Sequence, residues 1–109
     1  MKNLTSVEEG KTNAVISYIT LIGTIIAIVL NNSKKNEFTS FHIRQMVGLN
    51  LLYFINHWIV YTYAGWLAGG IMGVIVFVLW FIGFMGVING DEKKVPVFGD
   101  YFQEWFKSL

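Results

Sequence analysis

The sequence predicts an all-α integral membrane protein: a bundle of three transmembrane helices with a C-terminal amphipathic helix lying at the membrane interface. Three observations lead there. Of 109 residues, 54% are hydrophobic and 14% charged, against about 25% charged in an ordinary soluble domain. Residues 12 to 33 carry no Asp, Glu, Lys or Arg for 22 positions, and residues 45 to 90 carry none for 46. At about 1.5 Å per residue the first run makes a helix of roughly 33 Å, enough for one crossing of a hydrocarbon core about 30 Å thick. The second makes roughly 69 Å, too long for one crossing and suited to two joined by a tight turn. A soluble helical domain is disfavoured because residues 67 to 88 present no polar face for water to wet.

The chain reads as one membrane domain, residues 1–109. A first span is expected over about 13–30, set off by Gly10 before it and by Asn31, Asn32 and Asn36 after it. Its apolar run is longer than the roughly 7 to 15 residues of a signal-peptide core and ends in Asn-Asn-Ser-Lys-Lys without a small-residue cleavage pattern. The second span is expected over about 45–63 and the third over about 68–88. Between them "YAGWLAGG" supplies the glycines of a turn and the Tyr and Trp of a membrane surface.

Beyond Pro96 an interfacial helix is expected over about 100–108, with Asp100 as its cap and Gln103 completing a capping box. Tyr101, Phe102, Trp105, Phe106 and Leu109 then share one face, suited to the headgroup layer. The alternative is a helix that folds back on the loop between the first two spans. With three spans, Lys2 and Lys11 fall on one side and Lys34, Lys35, Arg44, Lys93, Lys94 and Lys107 on the other. The positive-inside rule then places the N-terminus outside and the C-terminus in the cytoplasm, in a bacterial cytoplasmic membrane.

The chemistry-bearing residues cluster around the second span. Phe38, Phe41, His42, Arg44 and Gln45 stand at its entrance, where the phenylalanines set depth and the arginine snorkels towards phosphate. His42 and Gln45 are expected to bond to the cytoplasmic loops or tail. At about 100° per residue, His42, Met46, Asn50, Tyr53, His57 and Tyr61 fall within roughly a 100° arc. A polar stripe is costly against lipid, so it should face other helices, a partner or water. It serves either as hydrogen-bonding glue or as a polar path. Gly69 and Gly73 form a GxxxG pair, and Gly83 and Gly86 add a second flat patch for helix packing.

No catalytic residue is expected. Asp91 and Glu92 are adjacent and point apart on any regular element, and Ser17 has no base near it in sequence. The chain has no cysteine, and His42 and His57 stand fifteen residues apart without an intervening carboxylate, so no metal site and no cofactor are expected. No basic patch points to nucleic acid. The expected partners are the lipid bilayer and, through self-association or otherwise, membrane proteins.

At "FTSFHIRQMVGLNL" and "VINGDEKKVPVFGDYFQEWF" the chain resembles the Tic-twenty-like family, which groups a chloroplast inner-envelope import component with small bacterial membrane proteins. The matching residues are Phe41, His42 and Gln45 at the helix entrance, then Asn89, Gly90, Pro96 and Gly99 in the tail, just before Asp100. The resemblance implies an α-helical membrane protein and a role in moving polypeptides across or into a membrane. The plastid proteins have four helices and a targeting extension, neither of which is read here. Function is expected to be non-enzymatic, in protein translocation or membrane-complex assembly. The alternative is a small-solute or proton conduit lined by the polar face of the second span.

Overall fold

The computed structural model describes residues 4–109, with side chains from Ser6 onward, and every regular element in it is helical. In order these are α1 (Leu4–Ser17), α2 (Leu21–Lys34), α3 (Glu37–Ile55), a π-helical turn (Asn56–Val60), α4 (Tyr61–Ile88) and α5 (Gly99–Trp105).

The first apolar run is not the single helix expected over 13–30. It breaks at residues 18–20, and α1 and α2 fold against each other as an antiparallel hairpin. The break is encoded without Pro. Thr20 takes an extended conformation and caps α2 by accepting from the Gly23 amide at 3.2 Å. Thr24 Oγ1 donates to the Ser17 carbonyl at 2.7 Å, satisfying a group that the end of α1 leaves open. Small residues then let the two backbones approach: Ala14, Ser17, Gly23 and Ala27 are all buried, and Asn13 Nδ2 donates to the Ala27 carbonyl at 3.1 Å. At 14 residues each, α1 and α2 are about 21 Å long, shorter than a hydrocarbon core of about 30 Å.

The second run also reverses, at Gly65, whose φ of +92° and ψ of 173° interrupt α4. That conformation is open essentially only to glycine. Drawn straight, the 52 residues of Glu37–Ile88 would span about 78 Å, yet the whole molecule is 46 Å in its longest dimension. After the turn the chain runs back along α3, so that Asn56 meets Gly69, Gln45 meets Gly83 and His42 meets Gly86. Of the described helices, Glu37–Ile88 is the stretch long and apolar enough to cross a membrane, and Leu21–Lys34 is apolar but shorter. Helix length does not by itself give three spans.

The two hairpins start and finish at one end of the bundle. Asn36 caps α3 by accepting from the Thr39 amide at 2.9 Å, and its Nδ2 donates to the Ser6 carbonyl at 3.0 Å. Thr39 Oγ1 donates to the Gly10 carbonyl, while His42 bonds to the Asp91 carbonyl. The expectation that the N-terminal segment and the tail lie on opposite sides took residues 13–30 as one crossing. The return through α2 instead brings both to the same end. Lys2, part of that charge count, lies outside the described residues.

The tail helix also departs from expectation. It spans Gly99–Trp105, with Phe98 at its N-cap and no side-chain capping bond. Asp100 pairs with Lys94 at 2.7 Å, and Gln103 reaches the Phe41 carbonyl at 2.9 Å. The helix folds back on α3, seating Phe102 over Gly48 and leaving Tyr101 and Trp105 exposed.

Candidate functional site

Two polar constellations stand out against the apolar bundle. The first closes the charged end. Phe38 and Phe41 pack edge-on around the His42 ring, with centroids 4.7 and 5.0 Å away. The ring's two nitrogens have partners of opposite kind. Nε2 lies 2.9 Å from the Asp91 carbonyl, which only accepts, so Nε2 carries the proton. Nδ1 then accepts from the Tyr18 hydroxyl at 2.7 Å. Tyr18 Oη accepts in turn from Gln45 Nε2 at 3.0 Å, and Gln45 Oε1 accepts from the Val95 amide at 2.6 Å. This is a directed chain of four hydrogen bonds without a formal charge. It joins the tip of the α1–α2 hairpin, the first turns of α3 and the tail.

Arg44 does not point freely outward. Its guanidinium donates to the Lys107 carbonyl at 3.0 Å and to Gln103 Oε1 at 3.4 Å, tying α5 to α3. The tail motif shapes the same contact. Gly90 has φ +72° and passes close to Val7, and Gly99 lies where a Cβ would come within 2.6 Å of the Lys94 side chain. Asn89 ends α4, its amide bonding to the Met85 carbonyl at 3.0 Å, and the Pro96 carbonyl accepts from the Phe98 amide at 2.7 Å.

The second constellation is a cavity of about 890 Å³ beyond the α1–α2 tip, bounded by α3, the π turn and α4. It gathers the residues of the predicted stripe beyond the entrance, Asn50, Tyr53, His57 and Tyr61, and adds Tyr18 and Thr20 from the tip. Asn50 Nδ2 donates to Thr24 Oγ1 at 3.1 Å. The His57 ring lies parallel to Tyr53 at 6.2 Å and edge-on to Tyr61 at 6.3 Å. His42 belongs to the other constellation, so the structure divides the stripe in two.

The glycines pack within the chain. Gly69 takes the Tyr61 ring, where a Cβ would lie 2.6 Å away, and Gly83 receives the Tyr18 hydroxyl. Gly73 faces Asn56, and Gly86 faces Lys93 and His42.

Sequence reasoning missed Tyr18, Asn56 and Gly48. Ser17, Thr20, Gly23 and Thr24 within the eight residues 17–24 of an otherwise apolar run were the signal for a break that would place Tyr18 at a tip. Asn56 lies off the stripe by a helical count. It is 4% exposed, and its Nδ2 donates to the Gly69 carbonyl at 3.0 Å. Its Oδ1 is buried without a partner.

Comparison with known proteins places the chain. The MamF/MmsF family model, described as the magnetosome magnetite crystal formation protein family, matches residues 9–102. A UPF0132 membrane protein of Methanocaldococcus jannaschii is 30% identical over 86 residues, covering 75% of this chain and 60% of the relative. A second UPF0132 membrane protein of that organism is 30% identical over 90 residues, covering 78% of this chain and 79% of the relative. The chain thus spans less than two thirds of the first relative's length. No solved structure matches. These findings overturn the resemblance to the Tic-twenty-like family, since the family that matches is a different one and neither relative's name mentions import. The residues that carried the resemblance, Phe41, His42, Gln45, Asn89, Gly90, Pro96 and Gly99, are those that build the helix entrance and the tail docked on it, a structural task that does not specify an activity. The chain belongs to the MamF/MmsF magnetosome magnetite crystal formation protein family and is related to archaeal membrane proteins of the UPF0132 group.

Proposed function

We propose that the protein is a non-enzymatic membrane scaffold whose α3 and α4 cross the cytoplasmic membrane while α1 and α2 enter it and return. It holds a charged, tightly docked face on the cytoplasmic side for assembly with other membrane proteins or with itself. The observation that carries this reading is the segregation of charge. Every Lys, Arg, Asp and Glu among the described residues falls within residues 8–11, 34–44 or 91–107, which meet at one end. The far end, at the Gly65 turn, carries none. With all described cationic residues on one side, the positive-inside rule puts that side in the cytoplasm. The N-terminal segment and the tail then share it, and the exposed Tyr101 and Trp105 sit at headgroup level.

The matched family is described by magnetite crystal formation, and the archaeal relatives only as membrane proteins. What these descriptions support for this chain is a membrane setting; the assembly role rests on the segregation of charge. The absence of cysteine makes the topology directly testable. Single cysteines at Glu8, Thr62 and Ser108 should react with a membrane-impermeant maleimide from the cytoplasm, the outside and the cytoplasm, respectively. Labelling of positions 8 and 108 from opposite faces overturns the topology. In-membrane crosslinking should recover a defined oligomer or named membrane partners in fixed stoichiometry, and recovery of an uncrosslinked monomer alone overturns the scaffold.

A small-solute or proton conduit is the second reading, favoured by the cavity that collects Asn50, Tyr53, His57 and Tyr61. It requires liposome flux that His57→Leu abolishes. Equal flux in the two proteins counts against it.

A further inference from the structure

The cavity beyond the α1–α2 tip combines apolar and aromatic walls with uncharged hydrogen-bonding side chains, and that chemistry defines a ligand. We propose that the cavity binds a neutral, membrane-dissolved amphiphile with a single hydrogen-bonding ring at its head, of the quinone or quinol type, entering from the leaflet farther from the charged end. The proposal rests on α3 and α4 crossing the membrane.

Charge comes first. None of the lining residues is Asp, Glu, Lys or Arg, so an ionic headgroup drawn to this depth meets no counter-charge and loses its hydration. A neutral head does not bear that cost. The walls are aromatic: the Tyr53, His57 and Tyr61 rings stand in series on one side, and Phe77 and Trp80, stacked at 6.0 Å, stand on the other. Flat faces of this kind suit a planar ring.

Hydrogen bonding then separates a ring with oxygens from a plain acyl chain. Leu21, the first residue of α2, lines the rim, and its N–H precedes the intrahelical ladder. The Tyr53 and Tyr61 hydroxyls and the His57 ring can donate or accept. An acyl chain leaves all of these unpaired at membrane depth, where each unmade bond is costly. A ring bearing carbonyl or hydroxyl oxygens answers the Tyr53, Tyr61 and His57 groups, each of which takes either role. The space depends on Gly73, where a Cβ would meet only Asn56 Nδ2, at 3.6 Å.

The test uses the full chain in nanodiscs of phosphatidylcholine and phosphatidylglycerol, titrated with decylubiquinone. With Trp58, Trp66 and Trp105 replaced by Phe, Trp80 alone reports. Its fluorescence should show saturable quenching at one quinone per chain above a linear partition background, with a matching adduct in native mass spectra. Gly73→Leu and His57→Leu should each weaken the saturable component at least tenfold. Linear quenching that Gly73→Leu leaves unchanged means that the cavity holds acyl chains and overturns the proposal. A change in the number of chains per particle on Gly73→Leu means that a second copy fills the cavity, which overturns it as well. Cysteine labelling at positions 8, 62 and 108 on the same variants keeps the two failures apart. Lost binding with the labelling intact is specific to the site, whereas opposite-face labelling of the parent chain overturns the topology and the proposal together.

Discussion

Tyr18 shows how much a single hydroxyl can hold. It accepts from Gln45 and donates to His42 while 1% exposed, so Tyr18→Phe keeps the ring but strands two buried polar atoms. An unsatisfied buried group costs about 1–3 kcal/mol. Tyr18→Phe should therefore lower the unfolding midpoint in mixed SDS micelles and expose the 91–98 segment to protease. Unchanged values on both counts refute the directed chain. The Lys94–Asp100 pair contrasts with it, being largely exposed, and such pairs contribute about 0–1 kcal/mol. Asp100→Asn should thus be close to silent in the same assay. At Gly65 the cost is conformational, since a Cβ there would meet nothing within 4 Å but φ is +92°. Gly65→Ala should destabilise by about 1–3 kcal/mol through backbone strain alone. That His42 and Gln45 bond to the tail was legible in the sequence because polar residues at the edge of a long apolar run need partners. Tyr18 was not, because a tyrosine in an apolar run has the same appearance whether it faces lipid or a buried imidazole.

Among the elements, α5 and the α1–α2 hairpin each depend on one close approach that a side chain would block. Phe102 lies over Gly48, so Gly48→Val should lift α5 from α3 without affecting insertion, read as faster proteolysis of the tail with unchanged cysteine labelling. Retained protease resistance would show that Arg44 and Gln103 suffice to hold the tail. The Ile16 carbonyl similarly stands where a Gly23 side chain would go. Gly23→Val should splay α1 from α2 and reduce disulfide crosslinking between cysteines placed at Asn13 and Ala27. Helix existence was legible from hydropathy in both cases. The break at residues 18–20 was not, because Thr20 and Thr24 act as caps only once the chain has turned. The π turn adds a register shift that no regular helical count anticipates, and Asn56 points inward on it.

For the whole molecule, the proposed membrane arrangement rests on charge and length together. A 46 Å bundle with every described charge at one end is strongly asymmetric, and the proposed two crossings with a re-entrant hairpin are built on that asymmetry. Replacing Lys34, Lys35, Lys93 and Lys94 by Gln should weaken the orientation preference and give mixed labelling at Ser108. Uniform cytoplasmic labelling in that variant would mean that orientation is set elsewhere.

Composition and the two uncharged runs alone determined that the chain is an apolar helical protein with a polar entrance at residues 38–45, because burying so much apolar surface leaves few alternatives. The turn near Gly65 was legible for the same reason, since glycine beside interfacial aromatics marks a reversal. Only the tertiary structure decided that the first run folds back on itself, that the N-terminal segment and tail share one end, and that Asn50, Tyr53, His57 and Tyr61 border a cavity. Those outcomes depend on which polar groups find each other across 13 to 50 residues of chain, and hydropathy does not record such pairings.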